Sequence, residues 1–210
     1  MKALLLAGGD IPSIHKIREY LDDERDIICI DSGLDYALKY GLEVSHALGD
    51  FDSVSDKTRA RLDSFNFKIT RFNEDKDKTD SHLALEYCLE KGYTDLIISG
   101  ITGSRLDQTL NSLELMIYFY EDFNSILILD SHNEVYLCKD KLKIAKKPSY
   151  ALSIIRATGA PIISLSGVRW PLKNHPIKIG QSITVSNQII EDYARIDVTN
   201  GLVFVILSKT

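Results

Sequence analysis

The sequence predicts an α/β domain with a doubly wound, mostly parallel sheet, followed by an all-β sandwich domain. In the first part of the chain, short apolar runs alternate with segments of helical periodicity, which is typical of parallel strands joined by right-handed helical crossovers. After about Asp130 the runs are short and β-rich, separated by turn residues, and no ten-residue stretch has a helical period. We therefore expect residues 1–130 to form the α/β domain and residues 131–210 the β-sandwich.

The elements of the α/β domain follow from the same patterns. Apolar runs predict six strands, at Ala3–Ala7, Ile27–Ile30, Ala47–Leu48, Phe67–Phe72, Leu96–Ser99 and Ile126–Leu129. Helical patterns lie between most of them, at Ile14–Leu21, Tyr36–Tyr40, Ser55–Leu62, Ser81–Lys91 and Leu106–Tyr120. The last helix carries apolar residues on one face, which predicts its buried side: Leu106, Leu110, Leu113 and Ile117.

The β domain is predicted from six runs rich in β-forming residues. These read EVYLCKDKLKIAK, ALSIIRA, PIISLSGV, SITVSNQII, ARIDV and LVFVILS, in that order along the chain. Gly, Pro and Asn separate several of them, as expected for turns between antiparallel strands.

Composition limits the class of protein. With 44% hydrophobic and 26% charged residues in 210, the chain has the composition of a folded globular protein. The net charge of −5 favours neither nucleic acid nor a membrane surface as a partner. No apolar run approaches the roughly 20 residues that span a bilayer. We therefore expect no nucleic-acid partner and no membrane association.

Two features of the sequence indicate the cellular location, the N-terminal segment and the cysteines. The opening MKALLLAGGD meets a charge at Asp10, so we interpret it as a first strand and not as a signal peptide. The three cysteines are odd in number and lie far apart in apolar stretches, which indicates reduced core thiols: Cys29, Cys88 and Cys138. Both observations predict a cytoplasmic protein.

Polar residues follow five consecutive predicted strands, where an open parallel sheet binds its ligands. Gly8-Gly9-Asp10 follows the first strand, and Gly100–Gln108 follows the fifth. Each motif alone is more typical of a turn or helix cap. Together they would bring seven carboxylates to one edge of the sheet: Asp31, Asp50, Asp52, Asp75, Asp77, Asp80 and Asp107.

Such an edge needs positive charge. Lys76, Lys78 and Arg105 supply part of it, and a divalent cation is the better partner, since carboxylate oxygens suit Mg²⁺. In an extended chain Asp50 and Asp52 point the same way, so we expect both to face one metal.

Asp77 and Asp80 are three residues apart near a helix start, which predicts a shared face. For these two residues and Thr79, helix capping is an equally good interpretation, and it does not exclude metal binding.

Several phosphate-binding and catalytic motifs are missing from the sequence. It has neither a G-x-x-x-x-G-K-[ST] loop nor a G-x-G-x-x-G loop, and its five histidines lack metal-ligand spacing. Gly103-Ser104-Arg105 at a helix start does suit an anion, because backbone N–H groups, the helix dipole and a guanidinium converge there.

The ordered set of motifs resembles the thiamine pyrophosphokinase family. The matching segments are Gly49-Asp50-Phe51-Asp52-Ser53, Asp77-Lys78-Thr79-Asp80, Gly103–Gln108, Gly167–Leu172 and Ser186-Asn187, so the resemblance covers both domains. It departs from the family pattern at Gln108, where His is frequent, at Leu6–Gly9, which lacks a preceding Asn, and at Val168 and Arg169.

The resemblance implies transfer of diphosphate from ATP to the hydroxyl of thiamine, with release of AMP, by a homodimer whose active site lies at the subunit interface. It implies that Asp50, Asp52 and Asp80 hold Mg²⁺ on the ATP phosphates, with Asp77 close by in the catalytic set. The candidate nucleotide-binding residues are Gly9, Asp31, Lys78, Thr79, Arg105 and Asp107. Trp170 is expected to stack on thiamine, in a pocket shaped by Ser186 and Asn187; without the resemblance, the only Trp in a β segment would be interpreted as core.

Two other functions remain open at this point. Asp50-Phe51-Asp52 could be the nucleophile loop of an Asp-x-Asp-x-Thr phosphohydrolase, although that motif belongs after the first strand and Val54 stands where Thr is expected. The chain could also be a non-catalytic nucleotide- or thiamine-binding paralogue.

Overall fold

The computed structural model describes residues 1–72 and 77–210. These residues form two compact units, an N-terminal unit over Met1–Ser131 and a C-terminal unit over His132–Thr210. Asp75 and Lys76, which the sequence analysis assigns to the acidic edge, lie outside the described residues.

The N-terminal unit is a parallel sheet with helical connections. Its strands are β1 Lys2–Leu6, β2 Arg25–Ile30, β3 His46–Gly49, β4 Lys68–Arg71, β5 Asp95–Ser99 and β6 Ser125–Leu129. Its helices are α1 Ile14–Arg18, α2 Gly33–Tyr40, α3 Asp56–Arg59, α4 Asp80–Glu90 and α5 Leu106–Tyr118, with a 3-10 turn at Leu62–Ser64. The strands lie in the order β6-β5-β1-β2-β3-β4, and each pairing is parallel.

This order creates a switch point in the sheet. From β1 the chain moves outward through β2, β3 and β4, then returns to the other side of β1 to form β5 and β6. The connections on the two sides diverge between β1 and β5, and a ligand crevice forms at the carboxyl ends of such strands. The predicted α/β class is confirmed.

Helix α5 buries a different face from the one predicted. Leu106 and Leu110 are 69% and 53% exposed, whereas Leu115 and Met116 are buried together with Ser112. The hydroxyl of Ser112 donates to the carbonyl of Ile101 at 2.9 Å, so this small polar residue faces the strand side. The apolar spacing alone therefore selected the wrong side of the helix.

The C-terminal unit is antiparallel. Its strands are β7 Asn133–Cys138, β8 Lys141–Ala145, β9 Tyr150–Ser166, β10 Leu172–Pro176 and β11 Tyr193–Lys209. The two long strands pair along most of their length, and β11 also pairs with β8 through its first residues and with β7 through its last. Their apolar residues enclose a core that includes Leu152, Ile163 and Val205. The prediction of a β-rich second part is confirmed.

Two details of this unit differ from the expected runs. ALSIIRA and the first six residues of PIISLSGV lie in the single strand β9, which ends at Ser166. The strand continues through Pro161 because this residue lies opposite the register shift between Thr199 and Gly201, where a strand tolerates a missing N–H. SITVSNQII is not a continuous strand: its described residues form only the isolated bridges at Asn187 and Ile189.

The three cysteines are buried, and none forms a disulfide in the described part of the chain. Burial raises the pKa of Cys88 to about 12 and that of Cys138 to about 11, so both are thiols at neutral pH. Among the helices of residues 1–72 and 77–210, none is both long enough and apolar enough to cross a membrane.

Candidate active site

The loops after β1 and β5 meet at the switch point. The amide of Gly9 donates to the carbonyl of Gly100 at 2.7 Å, and the amide of Asp10 donates to that of Thr102 at 2.7 Å. A Cβ at Gly9 would lie 2.3 Å from the Thr102 oxygen, so only glycine allows the two loops to approach this closely. Gly9, a predicted nucleotide contact, thus also has a structural role.

The loop between β3 and α3 carries Asp50 and Asp52. The expectation of an extended chain here is wrong, because Phe51 lies in the left-handed region with φ of 61°. The amide of Asp52 donates to Oδ1 of Asp50 at 3.0 Å, which closes a tight turn. The Phe51 side chain is 2% exposed and anchors the turn. The turn, and not strand alternation, therefore determines where the carboxylates of Asp50 and Asp52 lie.

Asp31, at the end of β2, supports the first half of this loop. It has φ of 45°, and its Oδ1 accepts the amide of Phe51 at 3.2 Å. Gly49 leaves room for this contact, since a Cβ there would lie 1.8 Å from Asp31 Oδ1. That Asp31 binds the nucleotide stays a prediction; the structure shows its carboxylate in contact with the loop that carries Asp50 and Asp52, the acidic loop.

Asp35, on α2, supports the second half of the acidic loop. It accepts the amide and the hydroxyl of Ser55, each at 2.7 Å, and the hydroxyl of Thr58. Burial alone would raise the pKa of Asp35, but the hydrogen bonds from Thr58 and Ser55 outweigh it, and the pKa lies below its usual range. Because Ser55 caps α3, Asp35 fixes where the acidic loop ends.

The segment before α4 contains the next group of predicted residues. Thr79 caps the helix, and its hydroxyl accepts the amide of His82 at 3.3 Å. Asp80 is the first helical residue and is half-buried, whereas Asp77 precedes the helix, so the predicted shared helical face is wrong for Asp77. Lys78 forms an ion pair with Glu86 at 2.6 Å.

The start of α5 holds an exposed pair of opposite charges. The guanidinium of Arg105 donates to both oxygens of Asp107, at 3.2 Å from Nε and 2.6 Å from Nη2. This pairing lowers the pKa of Asp107 and raises that of Arg105. An anion at this helix start would therefore compete with Asp107 for Arg105.

The predicted carboxylates divide into two groups among the described residues. Asp31, Asp50 and Asp52 follow the adjacent strands β2 and β3, and α4, whose first residue is Asp80, packs against the same two strands. Asp107 follows β5, which is three strand spacings from β3, or about 14 Å. The strand order therefore does not bring the predicted carboxylates together in a single cluster.

Two further acidic residues lie at this edge of the sheet and were not predicted as site residues. Asp130, after β6, is 4% exposed and accepts the hydroxyl of Thr102 at 3.0 Å. Asp10, after β1, accepts the amide of Ser131 at 3.3 Å and its hydroxyl at 2.5 Å. The signal was available for Asp10, which directly follows the first strand in Gly8-Gly9-Asp10.

In the C-terminal unit, Trp170 is a surface residue. Its side chain is 52% exposed, so the alternative that it packs in the core is wrong. The guanidinium of Arg169 lies 5.0 Å from the ring centroid. An indole that is half-exposed in this way is available for stacking on a flat ligand.

The two other predicted residues of this unit differ from each other. Ser186 is exposed, has φ of 60°, and lines an open cavity of about 530 Å³ together with Lys146, Tyr150, Gln188 and Ile190. Asn187 is 2% exposed, and its carboxamide bonds to the backbone of Trp170 at 2.8 and 3.2 Å. Ser186 is therefore accessible from solvent, whereas Asn187 is buried, and the thiamine contact of Ser186 stays a prediction.

Comparison with known proteins matches each of the two units to a domain of the same family. Residues 17–128 match the thiamin pyrophosphokinase catalytic domain, and residues 139–203 match the thiamin pyrophosphokinase vitamin B1 binding domain. Thiamine pyrophosphokinase of Bacillus subtilis is 27% identical over 207 residues, which cover 97% of each chain. Thiamin pyrophosphokinase 1 of Caenorhabditis elegans is 24% identical over 169 residues, 74% of this chain and 67% of the relative.

Solved structures agree with these sequence matches. The Bacillus subtilis thiamine pyrophosphokinase superposes with a TM-score of 0.90 at 27% identity and covers 100% of this chain and 99% of its own. A thiamin pyrophosphokinase family protein of Enterococcus faecalis superposes with a TM-score of 0.87 at 28% identity over 100% of both chains. With the catalytic-domain match alone spanning more than half of its residues, the chain belongs to the thiamine pyrophosphokinase family, a family of diphosphotransferase enzymes.

Proposed function

We propose that this chain catalyses the Mg²⁺-dependent transfer of diphosphate from ATP to the hydroxyl of thiamine, giving thiamine diphosphate and AMP. One observation carries the proposal. This member of the family has an acidic loop at the carboxyl end of β3 and a half-exposed indole in its vitamin B1 binding domain. The position after β3 also argues against the phosphohydrolase alternative, which requires its Asp-x-Asp motif after the first strand.

The metal would be held by Asp50, Asp52 and Asp80. Their donor chemistry fits, since carboxylate oxygens are the ligands that Mg²⁺ prefers. Asp50 is half-buried in a turn that Asp31 and the buried Phe51 hold in place, so its carboxylate is ordered by the protein before any ion binds. The ion would neutralise charge on the phosphate oxygens and orient them. Asp77, exposed just before α4, completes the proposed catalytic set.

The nucleotide would lie along the switch-point edge of the sheet. Lys78 and Arg105 supply cations there, and both are held by carboxylates in the protein alone, Lys78 by Glu86 and Arg105 by Asp107. Phosphate would take these partners over, since guanidinium binds phosphate in the same forked geometry as carboxylate. Gly9, Asp31 and Thr79 belong to this region through the loops that they shape.

Thiamine would bind through the C-terminal unit, with one of its rings stacked on Trp170. Thiamine carries a cationic thiazolium and a neutral pyrimidine, and an indole face attracts either. Arg169 covers part of the Trp170 ring, which favours the neutral pyrimidine ring as the stacking partner, because a second cation beside the guanidinium would be repelled.

The reaction forms one P–O bond and breaks another, and the proton of the thiamine hydroxyl is released to solvent. The thiamine hydroxyl oxygen attacks the β-phosphorus of ATP, the bond from that phosphorus to the bridging oxygen of the α-phosphate breaks, and AMP leaves with this oxygen. Such a transfer needs mainly alignment and neutralisation of phosphate charge. Alignment would come from the metal held by Asp50, Asp52 and Asp80. Neutralisation of the phosphate charge would be increased by Lys78 and Arg105.

We further propose that the protein acts as a cytoplasmic homodimer with its active site at the subunit interface. The resemblance to the family supports the dimer, and the separation of the acidic residues and Trp170 into different units is compatible with it. A two-fold dimer would offer the joint site twice.

The adenine nucleotide that accumulates tests this function. Purified protein is mixed with ATP, Mg²⁺ and thiamine, and the products are separated by chromatography. We expect AMP and thiamine diphosphate in equal amounts, and no turnover when the metal is chelated. Formation of ADP with thiamine monophosphate, or phosphate release that does not need thiamine, would overturn the proposal.

A further inference from the structure

Trp170 ends a short segment that is paired through its backbone. Residues 167–170 run beside residues 187–190, where the amide of Ile190 donates to Gly167 at 3.0 Å and the amide of Arg169 donates to Gln188 at 2.9 Å.

The side chain of Asn187 bonds to both polar backbone groups of Trp170. Its Oδ1 accepts the amide of Trp170 at 3.2 Å, and its Nδ2 donates to the carbonyl of Trp170 at 2.8 Å. The same Oδ1 accepts the amide of Gln188 at 2.8 Å. One carboxamide thus holds both polar backbone groups of Trp170.

Asn187 is itself firmly anchored. Its backbone amide and carbonyl pair with those of Leu152 on β9, at 2.8 and 2.9 Å. With 2% of its surface exposed and both lone pairs of Oδ1 occupied by amides, its Oδ1 has nothing left to offer a ligand. Because only 2% of its surface is exposed, Asn187 can affect a substrate only through a neighbouring residue.

That neighbour is an indole whose direction depends on its backbone. Trp170 is half-exposed, so core packing alone does not fix the ring. Pro171 restricts Trp170 to extended conformations, and the bonds from Asn187 hold both of its polar backbone groups.

We propose that Asn187 is a positioning residue for thiamine, which fixes the direction of the Trp170 ring and does not touch the substrate. This inference rests on the proposed function, because it takes Trp170 to be the surface on which thiamine stacks. It changes the role that the sequence analysis gave to Asn187, from wall of the pocket to support of its aromatic face.

Two substitutions separate the bonds. Asn187→Ala removes all three side-chain bonds, whereas Asn187→Asp keeps the acceptors but has no N–H for the Trp170 carbonyl. Thr184→Val is the matched control: Thr184 is 1% exposed in the same segment, and its hydroxyl donates to Ile154 on β9 at 2.6 Å. It should therefore lower stability without changing the support of Trp170.

Because Trp170 is the only tryptophan, its fluorescence reports directly on the ring without substrate. In both Asn187 variants we expect emission at longer wavelength, lower anisotropy and easier quenching by acrylamide. We expect KM for thiamine to rise by about tenfold, the effect of losing one or two buried hydrogen bonds, with KM for ATP unchanged. Trp170→Ala should raise KM for thiamine at least as much, and Thr184→Val should change neither fluorescence nor KM.

The outcomes distinguish the inference from the function on which it rests. If Trp170→Ala raises KM for thiamine but the Asn187 variants leave KM and fluorescence as in the wild type, the positioning role is wrong and the function stands. If Trp170→Ala also leaves KM unchanged, the proposed role of Trp170 in binding thiamine is wrong. If Asn187→Ala does not fold, Asn187→Asp gives the same decision, because it keeps two of the three bonds.

Discussion

At the scale of single residues, the acidic loop depends on side chains that lie outside it. Asp31 binds the amide of Phe51, and Asp35 binds Ser55 at the other end of the loop. Asp50 and Asp52 lie between these two supports. The carboxylates proposed to bind metal are therefore presented by a loop that the protein holds at both ends, which is what a preformed metal site requires.

Asp52→Asn tests the proposed metal role. Asp52 is exposed, so we expect the variant to fold, while turnover falls roughly 10²–10³-fold through loss of transition-state stabilisation. Product formation at saturating ATP and thiamine is the measurement. Asp63→Asn is the control, since Asp63 is a fully exposed acid of the same unit, 3.7 Å from Arg71. Near-wild-type turnover in Asp52→Asn would show that Asp52 has no catalytic role and that the loop is only a turn.

At the scale of elements, His46 joins β3 to its neighbours. This residue is 4% exposed, and its two ring nitrogens lie 2.5 Å from the hydroxyl of Tyr87 on α4 and 2.9 Å from that of Thr70 on β4. Burial, together with the charges of Lys68 and Lys91, lowers the pKa of His46 to about 4. The imidazole is thus neutral in the folded protein at all but acidic pH.

This lowered pKa predicts how stability depends on pH. Between pH about 6.5 and about 4 the unfolded chain binds a proton at His46 that the folded protein does not, so the free energy of unfolding falls as pH falls through this window. At pH 5 the loss amounts to about 2 kcal/mol. We expect His46→Gln to reduce the difference in unfolding free energy between pH 7.5 and pH 5 by this amount, measured by urea denaturation.

His15→Gln provides the comparison, because the His15 side chain is 90% exposed and its replacement leaves the buried surroundings of His46 unchanged. A His46→Gln variant with the same pH dependence as the wild type would show that His46 titrates normally in the folded protein.

The elements also show what the sequence could and could not predict. Parallel strands and their polar ends follow from local apolar runs, so the positions of Asp31 and Asp50 at strand ends were predictable. The left-handed turn at Phe51 was not, because it depends on a hydrogen bond that the Phe51 amide donates to Asp31, a residue 20 positions away. The buried face of α5 was missed for a related reason: its spacing fits two faces, and only packing selects the one with Leu115 and Met116.

At the scale of the whole molecule, the proposed function needs residues from both units. Asp52 belongs to the N-terminal unit and Trp170 to the C-terminal unit. Sequence motifs could identify each residue, but they do not say whether one chain supplies both to a site. In a homodimer with its sites at the interface, Asp52 of one subunit would work with Trp170 of the other.

Subunit mixing decides between these arrangements. Asp52→Asn and Trp170→Ala are unfolded and refolded together, so that roughly half of the dimers are mixed. Activity is measured at a thiamine concentration well below the raised KM of Trp170→Ala, where each variant alone turns over slowly. If the site is shared, each mixed dimer has one site with both residues intact, and activity returns to about a quarter of wild type per subunit. If each chain supplies its own site, the mixture stays inactive although mixed dimers form.

The reverse mixture is the control. In it, shared sites give a lower activity than separate sites, whereas in the first mixture they give a higher one. A chain that carries both substitutions is refolded with an equal amount of wild type. With shared sites, every mixed dimer has one defect in each site, so only the pure wild-type dimers work and activity is about a quarter of the all-wild-type value. With separate sites, each wild-type chain keeps its own site and activity is about half. A quarter in both mixtures is therefore expected, whereas none in the first and half in the second would mean that Asp52 and Trp170 do not meet across an interface.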